Sequence, residues 1–542
     1  MNYKVLLKLL FCVGLVSIQA CSIFPKKSFV PADPEAMSEW SIEGSLVLED
    51  DDVKQKTYFT YQNIDGEYEL TVRPENPVER PEAIVRGNED DGSSSEVIES
   101  RDPLAERVAR MVKDALPLEH MSYWLRGLPA TASADYQKTE DDKPKSLKEA
   151  GWEIEYDGFM EVDQYRLPEA MSMKKGRTEV DLELVRAETA FITNPCPNFE
   201  PSNQADLGPA HGDIVSRLVP DNDSAPLPRY INENDFCQQL FKVHGKMPDL
   251  RVGLYGPDSM MWKLSGPLAP GGMGAGRALL LQTAHPWVTA SIDEHSIVRY
   301  DPMERARRTA TNVSTIVYGS MPQVMRAAHK MHKTHTEIKG KIPYHAGAFQ
   351  RNSEYYANEV NAMIWVHATL WETLVYMYEQ LEEPLSIYEK NRFYEETKLF
   401  AMVFGIPESA LPKDWNEFME YNRAMWSSAQ LTVTDNARTL KEDLFNPRSV
   451  FLMFPLWIQE MVTSANLPPA IREGYGMDYG TWEQFNNAWL MASAKLTQWM
   501  LPDYIGINSI HHEAEARLRG ERVGYYHQRI IEDFLGTERL VN

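Results

Sequence analysis

Trp40-Ser41-Ile42-Glu43-Gly44-Ser45-Leu46-Val47-Leu48 sets apolar or small residues at every even position, with mostly polar ones between. A period of two sends successive side chains to opposite faces, so the stretch reads as a half-buried antiparallel strand. The pattern returns at Tyr68-Leu70-Val72, Trp152-Ile154-Tyr156 and Val180-Leu182-Leu184. Between these strands Leu104, Val108, Met111, Val112 and Ala115 fall at helical spacing and mark one apolar face. Asn88 to Ser100 is acidic and rich in Gly and Ser and reads as a loop; 191–236 carries many Pro, Asn and Asp with no clear period and reads as a linker. From about residue 237 the period lengthens to 3.6, and Trp, Met and Tyr become dense. The expected fold class is multidomain α+β, a β-rich first half followed by an all-α second half.

Composition narrows the function. A chain of 542 residues, 43% of them hydrophobic, can bury a large core without disulfides or metals to support it. Its net charge of −24 argues against a nucleic-acid partner, which calls for clustered Lys and Arg. No internal run reaches the ~20 consecutive apolar residues of a membrane span.

The first residues read as an address. Lys4 and Lys8 precede a short apolar core, Leu9 to Val16, and the run ends Ile18-Gln19-Ala20-Cys21. This ending resembles the lipobox of bacterial lipoproteins. The resemblance implies that residues 1–20 are a signal peptide and that Cys21 and the new N-terminus carry acyl chains such as palmitate. Residues 21–37 are then a lipidated tether, and Ser22, in place of Asp, directs the protein to the outer membrane, facing the periplasm. Each buried CH₂ adds ~0.8 kcal/mol, so several chains anchor stably. Cys196 and Cys237 flank the linker and either pair in that oxidising compartment or remain as two buried thiols.

Residues 38–190 resemble LolB, the outer-membrane receptor that accepts and inserts lipoproteins. The likeness rests on Trp40 to Gly44, Leu116-Pro117-Leu118, Tyr123-Trp124-Leu125-Arg126-Gly127-Leu128-Pro129, Gly151-Trp152 and Leu167-Pro168. It implies an open, incomplete antiparallel β-barrel with helices inside an apolar cavity, able to hold acyl chains or hand over a lipoprotein. The family's exposed Pro-Leu-Gly loop is replaced here by Pro74-Glu75-Asn76-Pro77, and a Glu entering hydrocarbon costs a few kcal/mol.

The histidines crowd into the second half. His329, His332 and His335 lie at i, i+3 and i+6 on one broad helical face; His285, His295 and His367 are scattered. No His has an acidic residue three positions before it, which removes the helical di-iron pattern. His-Glu-x-x-His and Gly-x-Ser-x-Gly are absent. Gly271-Gly272-Met273-Gly274-Ala275-Gly276 lacks the strand and the Lys-Ser/Thr of a nucleotide loop and reads as a turn opening a helix at Arg277. A helical, His-rich and aromatic-rich core suits a haem pocket with one imidazole ligand.

The ordered motifs Gly276-Arg277, Gln282, His285-Pro286, His295-Ser296, Asp301-Pro302, Arg305, Arg308-Thr309, Tyr318-Gly319, His335-x-x-Ile338-x-Gly340, Tyr344 and Trp365-Val366-His367 resemble the catalytic domain shared by MpaB oxygenases and the latex-clearing protein. The resemblance covers about 245–500, within an expected domain at 237–505, followed by a helical tail at 506–542. It implies haem b on one axial histidine and oxygen-dependent cleavage of carbon–carbon double bonds in an apolar, unsaturated lipid or isoprenoid. Position by position it implies His335 as the iron ligand, with His332 and His329, one and two turns back, as alternatives. Arg305, Arg308 and Thr309 become the distal wall. The latex-clearing protein has Lys at the position of Arg308; Arg stays protonated and cannot ligate iron. A non-catalytic lipid carrier and a haem-binding sensor remain open as alternatives.

Cys21→Ser is expected to leave the protein unacylated and soluble. A variant that still fractionates with outer membranes after a salt wash places the anchor elsewhere.

Overall fold

The computed structural model describes residues 33–535 apart from 38, 51–52, 65, 75–82, 89–93, 101, 140, 163–164, 190–194, 197–198, 200–213, 221–225, 227, 248–251, 297–301, 446–449, 520 and 522. The leader, Cys21 and the tip of the Pro74–Pro77 loop therefore lie outside the described residues. Two compact units are present, one grouping Pro25–Thr193 with Glu513–Tyr525 and the other Asn194–His512 with Tyr526–Glu538.

In the first unit ten strands form one antiparallel sheet: β1 (Glu39–Asp50), β2 (Val53–Ile64), β3 (Glu67–Pro74), β4 (Ala83–Asn88), β5 (Ser94–Ser100), β6 (Asp135–Lys138), β7 (Pro144–Glu149), β8 (Trp152–Val162), β9 (Tyr165–Lys175) and β10 (Thr178–Thr189). Their spatial order is β5-β4-β3-β2-β1-β10-β9-β8-β7-β6. The sheet is open and is no barrel, since its edges β5 and β6 do not pair. Helices α1 (Pro103–Ala115) and α2 (Leu118–Leu125) carry the chain from one edge to the other, and their apolar faces fill the space that closure would seal. Asp102 caps α1, accepting from the backbone N–H of Leu104 at 2.8 Å and of Ala105 at 3.0 Å.

The period-two residues do face the core. Trp40, Ile42, Leu46, Leu48, Leu70, Val72, Ile154, Leu182 and Leu184 join Val108, Val112, Trp124 and Leu125 in one buried cluster. Two readings change. Ser94–Ser100, expected as loop, is strand β5, because an edge strand needs only the backbone hydrogen bonds offered by β4. On β1 the polar positions Glu43 and Ser45 are buried as well. For Glu43 the C-terminal segment supplies the partner, since buried Arg517 has Glu513 and Glu43 as its charge neighbours.

Glu149 organises the motif around Trp124. Its carboxylate accepts from Trp124 Nε1 at 2.8 Å, the Ala130 N–H at 2.9 Å, and the Thr131 N–H and Oγ1, both at 2.6 Å. Arg126 lies over the rings of Trp40 and Tyr123.

The second unit is helical: α3 (Ile214–Leu218), α4 (Glu233–His244), α5 (Met260–Ser265), α6 (Leu268–Thr283), α7 (Pro286–His295), α8 (Pro302–Tyr318), α9 (Met321–Glu337), α10 (Val360–Leu381), α11 (Ile387–Val403), α12 (Trp415–Ser427), α13 (Asp435–Phe445), α14 (Val450–Asn466), α15 (Pro469–Gly474), α16 (Thr481–Met500), α17 (Asp503–Gly506), α18 (Ser509–Arg519, from Glu513 on grouped with the sheet) and α19 (Tyr525–Leu535). A short ribbon, β11 (Lys339–Lys341) with β12 (Glu354–Tyr356), follows α9. No helix among the described residues is long and apolar enough to cross a membrane. Within 191–236, α3 buries Val215 and Leu218, and the Arg229 N–H donates to Glu359 at 3.1 Å.

The glycine run is not a turn before a helix. It lies inside α6, where a Cβ on Gly274 would meet Thr373 and Met377, and one on Gly276 would meet Thr463. The glycines let α10 and α14 approach α6 closely. Arg277 then reaches across, donating to Glu372 at 2.5 and 3.1 Å, to Thr373 Oγ1 at 2.5 Å and to the Asn466 carbonyl at 2.8 Å.

Burial alone would raise the Glu149 pKa, but hydrogen bonds from Thr131 and Trp124 and from the backbone of Ala130 and Thr131 leave it lowered. Its stabilisation is therefore complete above the ordinary 4.5 and is lost as the pH falls through the lowered value. Glu149→Ala should destabilise the sheet unit by about 3 kcal/mol in urea denaturation at pH 7, with the gap from the parent narrowing in acid.

Candidate functional site

The site grows from the α8–α9 hairpin. Trp262 Nε1 donates to the Val317 carbonyl at 3.0 Å, and the Tyr318 hydroxyl meets Ser265 Oγ at 2.7 Å and accepts from Asn508 at 3.1 Å. The Ser320 N–H donates to Gln323 Oε1 at 3.0 Å, which starts α9. Tyr318-Gly319 therefore anchors the turn, and three histidines follow one another along α9.

Their surroundings differ. His329 Nε2 lies 2.7 Å from the Pro195 carbonyl and 3.7 Å from Cys196 Sγ, with its ring edge-on to Phe236 of α4. His332 stacks on Phe236 with centroids 4.2 Å apart and planes 4° apart. His335, half-buried near the end of α9, stacks loosely at 6.3 Å on Phe404, and its ring makes no hydrogen bond among the described residues. Burial, together with the nearby His332 and the Arg305 charge, lowers the His335 pKa to about 4, so its imidazole is neutral at pH 7. Gly405 leaves room for Phe236. It sits at φ +84°, where a side chain would be strained and would also run into Ile231 and Phe236.

On α8, Arg305 is half-buried and donates from Nη1 to Thr309 Oγ1 at 2.5 Å, while Thr309 donates back to the Arg305 carbonyl at 3.0 Å. Burial and the Arg308 charge lower the Arg305 pKa. Arg308 and Thr309 are exposed. The structure thus brings Arg305, Thr309 and His335 into one neighbourhood and leaves Arg308 at its solvent side. Asp301 lies outside the described residues.

The scattered histidines have other partners. His367 Nε2 is 2.8 Å from the Thr397 carbonyl, and burial lowers its pKa to about 4. His285 opens α7 between Trp287 and Phe349, and burial lowers its pKa to about 3. His295 meets the Tyr355 hydroxyl at 3.2 Å.

Residues 262–499 match the family described as ER-bound oxygenase mpaB/B'/Rubber oxygenase, catalytic domain, and residues 38–186 match Outer membrane lipoprotein LolB. The sheet unit is similar to the outer-membrane lipoprotein LolB of Tolumonas auensis, 25% identical over 158 residues, 27% of this chain and 76% of that protein. The Pseudomonas aeruginosa LolB is 28% identical over 180 residues, covering 32% and 86%, and that of Pseudomonas fluorescens 35% over 74 residues, covering 14% and 35%. The oxygenase match falls within the helical unit, and the α9 histidines and the α8 Arg–Thr pair lie inside its span.

Sequence reasoning missed Phe236 and Phe404, and it left Cys196 and Cys237 either paired or free. Cys196 and Cys237 are bonded, with Cα atoms 5.9 Å apart, and this ties the Pro195 carbonyl that holds His329 to α4. Closing the intervening 41 residues is worth about 4 kcal/mol by loop entropy. Cys196→Ser/Cys237→Ser should lower the stability of the helical unit by that order, while the sheet unit melts unchanged in calorimetry.

Proposed function

We propose that the helical unit is a haem b-dependent oxygenase for an apolar unsaturated lipid or isoprenoid, and that the LolB domain, held at the outer membrane through acylated Cys21, takes up or delivers that substrate. One observation carries the reading: of the three histidines on α9, His329 is held at the Pro195 carbonyl and His332 lies flat on Phe236 at 4.2 Å, whereas His335 stacks only loosely, at 6.3 Å, on Phe404 and offers a neutral ring with no hydrogen bond among the described residues. The match of 262–499 to an oxygenase catalytic domain supports the class, and the LolB relatives support the outer-membrane site.

The donor set fits a haem. A neutral imidazole is the usual single protein ligand to such an iron. Phe404 stands beside His335 as an apolar wall, and Arg305 would offer a cation to an acidic group of the haem. When bound, the haem supplies the dioxygen chemistry that no side chain possesses. The chain's residues do the rest. Burial keeps the His335 lone pair free of protons down to a pH of about 4. Thr309 fixes the Arg305 guanidinium by its hydroxyl, so the charge points in one direction. Arg308 adds positive field without competing for the metal, because guanidinium remains protonated.

The test is the absorption spectrum of the chain expressed with haem. The parent should show a Soret band, and His335→Ala should lose it while retaining its helical circular dichroism. Arg308→Ala should keep haem and change the distal spectrum. An unchanged Soret band in His335→Ala overturns the ligand; loss in His332→Ala instead moves it one turn. A parent that never takes up haem favours the carrier reading.

A further inference from the structure

Helix α16 is apolar on two opposite faces. One is docked: Leu490, Met491 and Ala494 pack with Met377 and Leu381 of α10 and Val462 of α14. At about 100° per residue the other face carries Trp482, Phe485, Trp489, Leu496, Trp499 and Met500. These six are 67, 65, 49, 55, 80 and 61% exposed, and no residue of the helix is buried. Single exposed apolar side chains are ordinary, but six on one stripe form a patch that water does not favour.

Three properties indicate what covers it. The first is chemical: three of the six are Trp, whose ring is apolar and whose indole N–H wants a polar partner, the combination found at the headgroup level of bilayers. The second is charge. Thr481–Met500 holds one acid, Glu483, and one base, Lys495, so this face is neutral in a chain of net charge −24. A neutral face approaches phospholipid headgroups without the repulsion the rest of the chain would feel. The third is area. From Trp482 to Trp499 the stripe is about 26 Å long and one helix, about 10 Å, wide. That footprint of a few hundred Å² falls short of the ~800 Å² per partner of a stable protein interface. A helix lying in the plane of a membrane needs no such area when a second anchor shares the binding. The lipobox-like Ile18-Gln19-Ala20-Cys21 supplies one and makes lipid the apolar phase at highest local concentration.

We propose that the exposed stripe of α16 docks the oxygenase domain on a phospholipid surface, its Trp and Phe rings seated among the headgroups. The proposal uses the acyl anchor and does not depend on haem, so its test can fail while the oxygenase reading stands. The docked helix would hold the domain where an apolar substrate is dissolved.

The experiment uses the mature chain, residues 21–542, carrying Cys21→Ser so that no acyl group contributes. Without the acyl anchor the binding should be reversible: the chain should co-sediment with vesicles of phosphatidylcholine and of phosphatidylethanolamine with phosphatidylglycerol held in excess and be released by washing into lipid-free buffer, and salt added at constant lipid should change little because the contact is apolar. Trp482→Ser/Trp489→Ser/Trp499→Ser should weaken partitioning by roughly ten-fold or more with unaltered circular dichroism. Vesicles with brominated acyl chains should quench part of the parent's tryptophan fluorescence, a readout that needs no variant. Failure of the parent to bind, absence of quenching, or equal binding by the triple variant overturns the proposal. A dimer that the same substitutions dissolve assigns the stripe to a second copy instead.

Discussion

The helical unit depends on a buried ion pair. Arg277 and Glu372 are both almost wholly shielded from water, so each charge must be answered inside the protein. It is: the guanidinium gives two bonds to Glu372, one to Thr373 and one to the Asn466 carbonyl, and its face lies 4.8 Å from the centre of the Tyr376 ring. A buried pair adds little when compared with a well-packed apolar pair, yet removing one partner costs about 3–5 kcal/mol because the other charge is stranded. The pair thus specifies geometry more than it stabilises. It sets α6 against α10 and α14, and it needs the absent side chains of Gly274 and Gly276 to let those helices come near.

From α10 the arrangement passes outward to the histidine row. His367 on α10 bonds the Thr397 carbonyl of α11, and α11 ends in Phe404 and Gly405. Phe404 faces His335, and Gly405 makes room for Phe236, which faces His329 and His332. Three identical side chains on one helix thereby acquire three different surroundings. The disulfide extends the same logic, holding Pro195 where its carbonyl occupies His329. What distinguishes His335 is that it is half-buried with only a loose stack on Phe404 and no hydrogen bond among the described residues.

In the sheet unit a single carboxylate has the corresponding part. Glu149 gathers four donors, the indole of Trp124 on α2 and three from Ala130 and Thr131 beyond it. The Trp-Leu-Arg-Gly-Leu-Pro motif is thus built around an acceptor 25 residues away. Arg126 faces inward to Trp40 and Tyr123, so the motif is engaged in holding α2 to the sheet.

The sequence by itself determined the local periods. Alternation at Trp40–Leu48, Tyr68–Val72, Trp152–Tyr156 and Val180–Leu184 marks strands because side-chain direction follows the backbone with no help from distant residues. The order of motifs from Gly276 to His367 pointed to the oxygenase family that residues 262–499 match, for the same reason: each motif is short and read in place. Everything that required a distant partner was decided by the tertiary structure. Strand β5 has no strong pattern and exists because β4 offers it hydrogen bonds. The buried Glu43 of β1 finds its partner in a C-terminal segment hundreds of residues later. The glycine run looks like a turn until α10 and α14 are packed on it. The three α9 histidines are equivalent in a helical reading, because spacing fixes which face they share and says nothing of what stands opposite. Burial and contacts made across the fold separate them, and neither quantity is written in the local sequence.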